Sequence, residues 1–513
     1  PMIYLMGIDI GTSGTRTILI EPGGHVVAQD TQEYPLYAPR PLWSEQDPAD
    51  WWMAACGTIQ RTLQKSGIPA GQVKAVGLSG QMHGAVFLDS SDAVIRPAIL
   101  WNDQRTQLEC EWITDRLGPD LIHAEICNPI LTGFTAGKIV WLRNHEPHHY
   151  ARVAKILLPK DFVRHKLTGE FATEVSDASG TALFDVRKRR WSEAALEAID
   201  IPIKWLPASY ESPEITGRIS REGAAATGLD EGTPVVGGGG DQAAGAVGSG
   251  IVTTGVVSST VGTSGVVFAF SDEPVVDSAL RMHTFCHAVP NKWHLMGVML
   301  SAGGSLQWYR DTFGQPEKVV ASAIGCDPYE LICREADSAP AGCEGLLFLP
   351  YLTGERTPHP DPNARGVLFG LTRRADRRYV ARAILEGVAY GLRDSFAIMH
   401  AMKVPITQVR ASGGGARSKV WLAIQTDVIG RPHVLTNVDE GPAFGVALLA
   451  GVGSGVYNSV EEACGGTIHV TSSTEPDPER SKMYGRYYPV FQSLYQHLQG
   501  DFQSVAALSG AEG

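Results

Sequence analysis

The tetrapeptide Gly-Thr-Ser-Gly occurs twice, at 11–14 and at 262–265, about half a chain length apart in 513 residues. Each copy lies between two apolar, β-rich runs: Ile3 to Ile10 and Thr15 to Ile20 around the first, Gly255 to Val261 and Val266 to Phe270 around the second. Strand, glycine-hydroxyl-glycine turn, strand is a hairpin whose tip presents backbone N–H groups and hydroxyls, the donors an anion needs. Two such tips turned toward each other would hold a polyphosphate from both sides.

A chain of this length exceeds what one hydrophobic core supports, so two domains are expected, 1–250 and 251–513. The Pro- and Gly-containing stretch from Gly232 to Gly240 sits at their junction, where a hinge would lie. With 43 basic and 55 acidic residues the net charge is -12, and no long basic block interrupts the chain. That disfavours nucleic acid and anionic membrane surfaces as partners, so an anionic substrate must be held locally. No apolar run approaches the roughly 18 residues of a membrane span, and no charged-then-apolar leader precedes the first strand, which makes the cytoplasm the expected compartment. Eight cysteines are scattered without CxxC pairs and read as reduced packing residues.

Mixed α/β order runs through both halves. The first opens as a meander over 3–10, 15–20 and 25–29; Asp47-Pro48 then starts a helix, an Asp cap with Pro at the first helical position. Short strands are predicted at 73–78, 85–88 and 98–101, with helices near 106–116 and 136–144. In the second half, strands at 256–270 and 293–300 precede helices from Gly304, from Arg377 to Met402 and from Ser418 to Ile429. Beyond Val456 the glycine-rich motifs cease, and surface helices are expected.

Asp9 stands at the mouth of the first tip, where one carboxylate together with substrate phosphates suits Mg²⁺ and Arg16 just beyond it could add a charge-assisted phosphate contact; taken alone, the motif also reads as a plain β-turn. Asp241 ends a run of four glycines and opens a small-residue segment. A carboxylate there is either a helix cap or the base that takes the proton of an attacking hydroxyl in phosphoryl transfer. Gly413-Gly414-Gly415 sits at a strand-to-helix turn, and Gly303-Gly304 is a weaker example; such turns let a backbone lie against a nucleotide. Gly80-Gln81-Met82-His83-Gly84 and Trp101-Asn102-Asp103-Gln104-Arg105 place directed donors and acceptors at strand ends, as reading a polyol requires. His283, Cys286, His287 and His294 look like a metal cluster, but no further cysteine or carboxylate falls at zinc-ligand spacing, and His287 to Met296 reads as a hairpin.

These residues resemble the FGGY carbohydrate kinases, and within them the branch acting on xylulose. IDIGTSGTR, LWSEQDP, GLSGQMHG, ILWNDQR, LLPKDFVRHKLTGE, GGGGDQAAGAVG, VGTSGVVF, LFLPYLTGERTPHPDPNARGVLFGLT and SGGGARS follow one another in the family's order over nearly the whole chain. The resemblance implies an α/β fold of two actin-like, ribonuclease H-like domains with a deep cleft, sugar on the first and ATP on the second. It implies Asp241 as catalytic base and Asp9 as the acidic residue near Mg²⁺. Met82, His83, Asp241 and Gln242 match the sugar-contacting positions; Thr12, Ser13 and Arg16 match the first phosphate loop and Thr263 the second. Gly303, Gln307, Gly414 and Ser418 match positions that hold the nucleotide, Ser418 standing where related kinases often carry Asn. Gln242 likewise stands where many members have Asn. The implied activity is transfer of the γ-phosphate of ATP to the terminal hydroxyl of a ketopentose, D-xylulose first, by a protein that the resemblance suggests is a homodimer. Kinases of ribulose, gluconate, glycerol or another polyol are the nearest alternatives, and an actin-like ATPase without a sugar substrate is the more distant one.

Overall fold

In the computed structural model, which describes residues 2–439 and 441–510, the first tip joins β1 (Tyr4–Ile10) to β2 (Gly14–Ile20), and β3 (Val26–Glu33) completes the meander. After α1 (Pro48–Ser66) comes β4 (Val73–Gly80), which lies parallel to β1 on the side away from β2. α2 (Pro159–Thr168) precedes β5 (Ile215–Arg218), β6 (Pro234–Val236) and the two-residue β7 (Gly239–Gly240). The sheet order is β5-β6-β4-β1-β2-β3, with β7 continuing alongside β4. α3 (Asp241–Gly248) follows directly.

The second tip joins β8 (Gly255–Val261) to β9 (Gly265–Ser271), followed by β10 (His283–Cys286) and β11 (Trp293–Met299). After α4 (Gly303–Phe313) and α5 (Arg377–Ala401), β12 (Ile406–Ser412) runs parallel to β8. α6 (Lys419–Ile429), β13 (His433–Thr436), α7 (Gly441–Gly453), β14 (Val470–Thr474) and α8 (Pro478–Gly510) complete the chain. This sheet runs β10-β11-β9-β8-β12-β13-β14. Both sheets therefore share one plan: a hairpin, a third strand beside its second arm, and parallel strands added beside its first arm.

Side-chain alternation decides what each face of the first sheet meets. Tyr4, Met6, Ile8 and Ile10 share a buried cluster with Trp51, Ala55 and Ile59 of α1 and Phe162 and Val163 of α2. The alternate positions Gly7 and Gly77 face α7, and a Cβ on either would lie 1.9 and 2.0 Å from the Ala443 and Val446 carbonyl oxygens. Only glycine permits that approach. Asp9 and Ser79 have the same parity as these glycines, two residues nearer the carboxyl ends of the strands.

Compact unit one comprises 1–253, 270–294 and 438–469; unit two comprises 254–269, 295–437 and 470–513. These units are interleaved along the chain, each drawing on several segments. α7 is one reason, since its small residues pack on β1, β4 and α3. Past Val456 the structure departs from an end of surface helices: β14 pairs antiparallel with β13, and α8 buries Tyr484, Phe491 and Tyr495. All eight cysteines are free, six of them buried.

Candidate active site

Asp9 and Asp241 come together because three parallel strands end at one level. Ser79 of β4 is in register with Asp9 on one side and with Gly239 on the other, and Gly240 leads into Asp241. Carboxyl ends of parallel strands are where open α/β sheets bind ligands. Ser79 Oγ donates to Asp9 Oδ1 at 2.8 Å, and Arg16 stands directly across the β1–β2 pair, its guanidinium also donating to Gln29 Oε1. Desolvation raises the Asp9 pKa to about 6, with the Ser79 hydrogen bond and the Arg16 charge opposing. Asp241 rises to about 7 through desolvation first and the Asp9 charge second, against hydrogen bonds from the Gln242 backbone and side chain. Both carboxylates are half-buried.

Asp241 is the first residue of α3, and Gly240 occupies the cap position without a side-chain cap. The Asp241 carboxylate instead accepts from the Gln242 N–H within the first turn. The preceding glycines fit a space no other residue would: at Gly238, with φ of 73°, a Cβ would lie 1.8 Å from the Leu78 carbonyl oxygen. Met82 packs on the same segment, its Cγ 2.9 Å from where a Gly240 Cβ would be. His83 stacks on Phe134 with ring centroids 4.6 Å apart, and its Nδ1 lies 2.6 Å from the Gly180 carbonyl. A carbonyl only accepts, so Nδ1 carries the proton in the neutral ring, and that tautomer has Nε2 as an acceptor.

The first tip is held from beneath. Gly11 N donates to Gly14 O at 3.0 Å across the turn, Tyr34 Oη donates to Gly11 O, and Gln46 Nε2 donates to Thr12 O at 2.7 Å. Gln81 links to Gln46, which in turn accepts from Trp51 Nε1. Thr12 Oγ1 accepts from Trp101 Nε1 at 2.9 Å, while Ser13 is exposed at the apex. Sequence reasoning missed Ser79, Gln46 and Tyr34. Ser79 is set beside Asp9 by strand pairing and Gln46 and Tyr34 reach the tip from outside that sheet, relations that no local spacing reveals.

Unit two holds a cavity of about 790 Å³. Thr263 of the second tip, Gly303 and Gln307 of α4, Gly414 of the turn after β12 and Ser418 before α6 all line it. Its geometry follows from close backbone docking: Gly303 N donates to Gly262 O at 2.8 Å, and Gly304 N to Thr263 O at 3.0 Å. Gly413, with φ of 78°, turns the chain against the Val261 carbonyl. Ser418 Oγ accepts from Trp421 N and so starts α6. Asp327, Tyr329, Glu330, Arg334 and Arg417 add a polar wall that sequence reasoning did not anticipate. His283 Nδ1 lies 3.1 Å from Asn128 Oδ1 and its ring stacks on Phe285, His287 Nε2 lies 2.9 Å from Ile251 O, and Cys286 and His294 are buried.

Residues 4–248 match the N-terminal domain of the FGGY family of carbohydrate kinases, and residues 257–454 match its C-terminal domain. The chain belongs to this family. This kinase is 42% identical to a xylulose kinase of Escherichia coli (strain K12), covering 96% of this chain and 99% of that one. It is 36% identical to a xylulose kinase of Bacillus subtilis (strain 168), covering 97% and 98%. Its fold superimposes on the crystal structure of a xylulose kinase from Rhodospirillum rubrum with a TM-score of 0.90 at 29% identity, covering 98% of this chain and all of that one. Among the described residues, no helix of the kinase is long and apolar enough to cross a membrane.

Proposed function

We propose that this carbohydrate kinase transfers the γ-phosphoryl group of ATP to the terminal hydroxyl of a ketopentose, converting D-xylulose to D-xylulose 5-phosphate. The observation that carries the reading is Asp241: a half-buried carboxylate with its pKa near 7, next to a second carboxylate, on a glycine segment against which Met82 packs. A base poised near the working pH combines a large ionised fraction with useful proton affinity.

In this mechanism Asp241 accepts the hydroxyl proton as that oxygen attacks the γ-phosphorus, the bond from phosphorus to the β-bridging oxygen breaks, and ADP leaves. His83, through Nε2, and Gln242 orient the other sugar hydroxyls. Thr12, Ser13, Arg16 and Thr263 offer donors to the phosphates, and Gly303, Gln307, Gly414 and Ser418 hold the nucleotide in the cavity they line. Asp9 and Asp241 are hard oxygen donors whose negative charges destabilise each other, a donor set that fits a divalent cation, and Asp9 would hold it. Mg²⁺ bound there would supply charge neutralisation on the phosphates.

The identity to relatives named xylulose kinase supports the choice of ketose. The test is ADP release measured across D-xylulose, ribulose, gluconate and glycerol. The highest kcat/KM on D-xylulose is expected; a higher value on any other acceptor refutes the substrate, and hydrolysis without acceptor at the same rate refutes the kinase reading.

A further inference from the structure

The segment that delivers Asp241, Gly237 to Gly240, has no side chains with which to fix itself, yet all four residues are buried. Its position must come from hydrogen bonds made by its surroundings. Backbone bonds supply part of it, Gly237 N donating to Glu214 O at 2.8 Å and Gly238 N to Ser212 O at 2.9 Å, with β7 paired to β4. Arg164 of α2 adds the side-chain donors at the start of the segment, Nη1 donating to Val236 O at 2.6 Å and Nη2 to Gly237 O at 2.5 Å. At the other end Gly240 N donates to Ser176 Oγ at 3.1 Å. Ser176 is itself fixed by Glu174, whose Oε2 accepts from Ser176 N at 2.7 Å.

Behind these contacts lies a cluster with no solvent exposure: Lys160, Asp161, Arg164, Glu174 and Asp177. Lys160 Nζ lies 2.9 Å from Asp161, 2.8 Å from Asp177 and 3.3 Å from Glu174. Asp161 Oδ2, Asp177 Oδ1 and Arg164 Nε have no hydrogen-bond partner among the described residues. An incompletely satisfied buried charge cluster is a poor source of stability, because apolar residues of the same volume would serve as well. What apolar residues would not do is aim donors at two successive carbonyls and an acceptor at a backbone N–H of a strand built from glycine.

We propose that Arg164 and Ser176 are positioning residues for phosphoryl transfer, holding the glycine segment so that the Asp241 carboxylate meets the sugar hydroxyl. This rests on Asp241 being the base. Neither residue touches substrate in this proposal; each acts through the backbone ahead of Asp241. Misplacing a reacting group by a fraction of an ångström lowers the rate of the chemical step while leaving binding in place.

The test is a double-mutant cycle of Ser176→Ala and Asp241→Asn, with kcat and both KM values measured on the best acceptor and folding checked by thermal denaturation. Ser176→Ala is expected to lower kcat about tenfold with KM for sugar and ATP within about twofold, and to cause no further loss in the Asp241→Asn background. Arg164→Lys, which keeps the charge but not the two-pronged donor, is the second variant and is expected to act the same way. Wild-type kcat in both variants, or an equal loss whether or not Asp241 is present, overturns the positioning role while the base assignment stands. Full turnover by Asp241→Asn alone overturns the base assignment and this proposal with it.

Discussion

Replacing Asp241 by Asn should make the kinase slower and, above neutral pH, more stable. Burial and the neighbouring Asp9 raise the carboxyl from 3.8 to about 7, so the native state holds a proton that the unfolded chain releases. The sign follows: stability associated with this group is present at low pH and is lost as pH rises through about 7. At 1.36 kcal/mol per pKa unit, the half-buried carboxylate costs the native state about 2 to 3 kcal/mol more at pH 8 than at pH 5. Asn has the same shape and no charge to desolvate. Thermal denaturation of both proteins across that range should show the Asn variant gaining over wild type as pH rises, while its turnover is lower by about 10² to 10⁴. The wild-type acid limb of kcat/KM, where Asp241 becomes protonated, should vanish from the residual activity. A stability difference that stays flat from pH 5 to pH 8 would show that Asp241 is not desolvated as argued; unchanged turnover would remove it from the chemistry.

Asp9→Asn should lower kcat by about 10² or more and raise the Mg²⁺ concentration giving half-maximal rate, which a metal titration of activity measures; an unaltered metal dependence would contradict the cation role. Gly238→Ala drives a Cβ into the Leu78 carbonyl at positive φ and should destabilise the protein by about 2 to 4 kcal/mol, read as a lowered denaturation midpoint. Gly303→Ala places a Cβ 2.3 Å from Gly262 O and should raise KM for ATP about tenfold with KM for the sugar unchanged; a change confined to the sugar would argue against nucleotide in the unit-two cavity.

What was legible in the sequence was local. Each tip is bounded by glycines between β-branched runs, and both appear as hairpins at those positions. Asp47-Pro48 starts α1, with Asp47 Oδ1 accepting from Ala49 N as a cap should. Ser418 was tied to a helix start by the same short-range logic, while Gly414, expected in a turn, opens the four-residue helix Gly414–Arg417. What escaped depended on which strands lie side by side. Ser79 matters because β4 inserts between β1 and β7, and Arg164 and Ser176 matter because they reach Val236, Gly237 and Gly240 from more than sixty positions away. No spacing rule links such residues. The docking of α7 was hidden for the same reason: Gly7 and Gly77 make room for it, but glycine in a strand does not say which element will come close.

α7 also bears on how the chain matures. One face of the first sheet stays open until residues 441–453 have left the ribosome, long after β1 and β4 have been synthesised. A nascent polypeptide ending near residue 250 would bare Leu5 and the glycine-lined strip to solvent and chaperones. Dividing the gene at that point should yield fragments that fold only when supplied together.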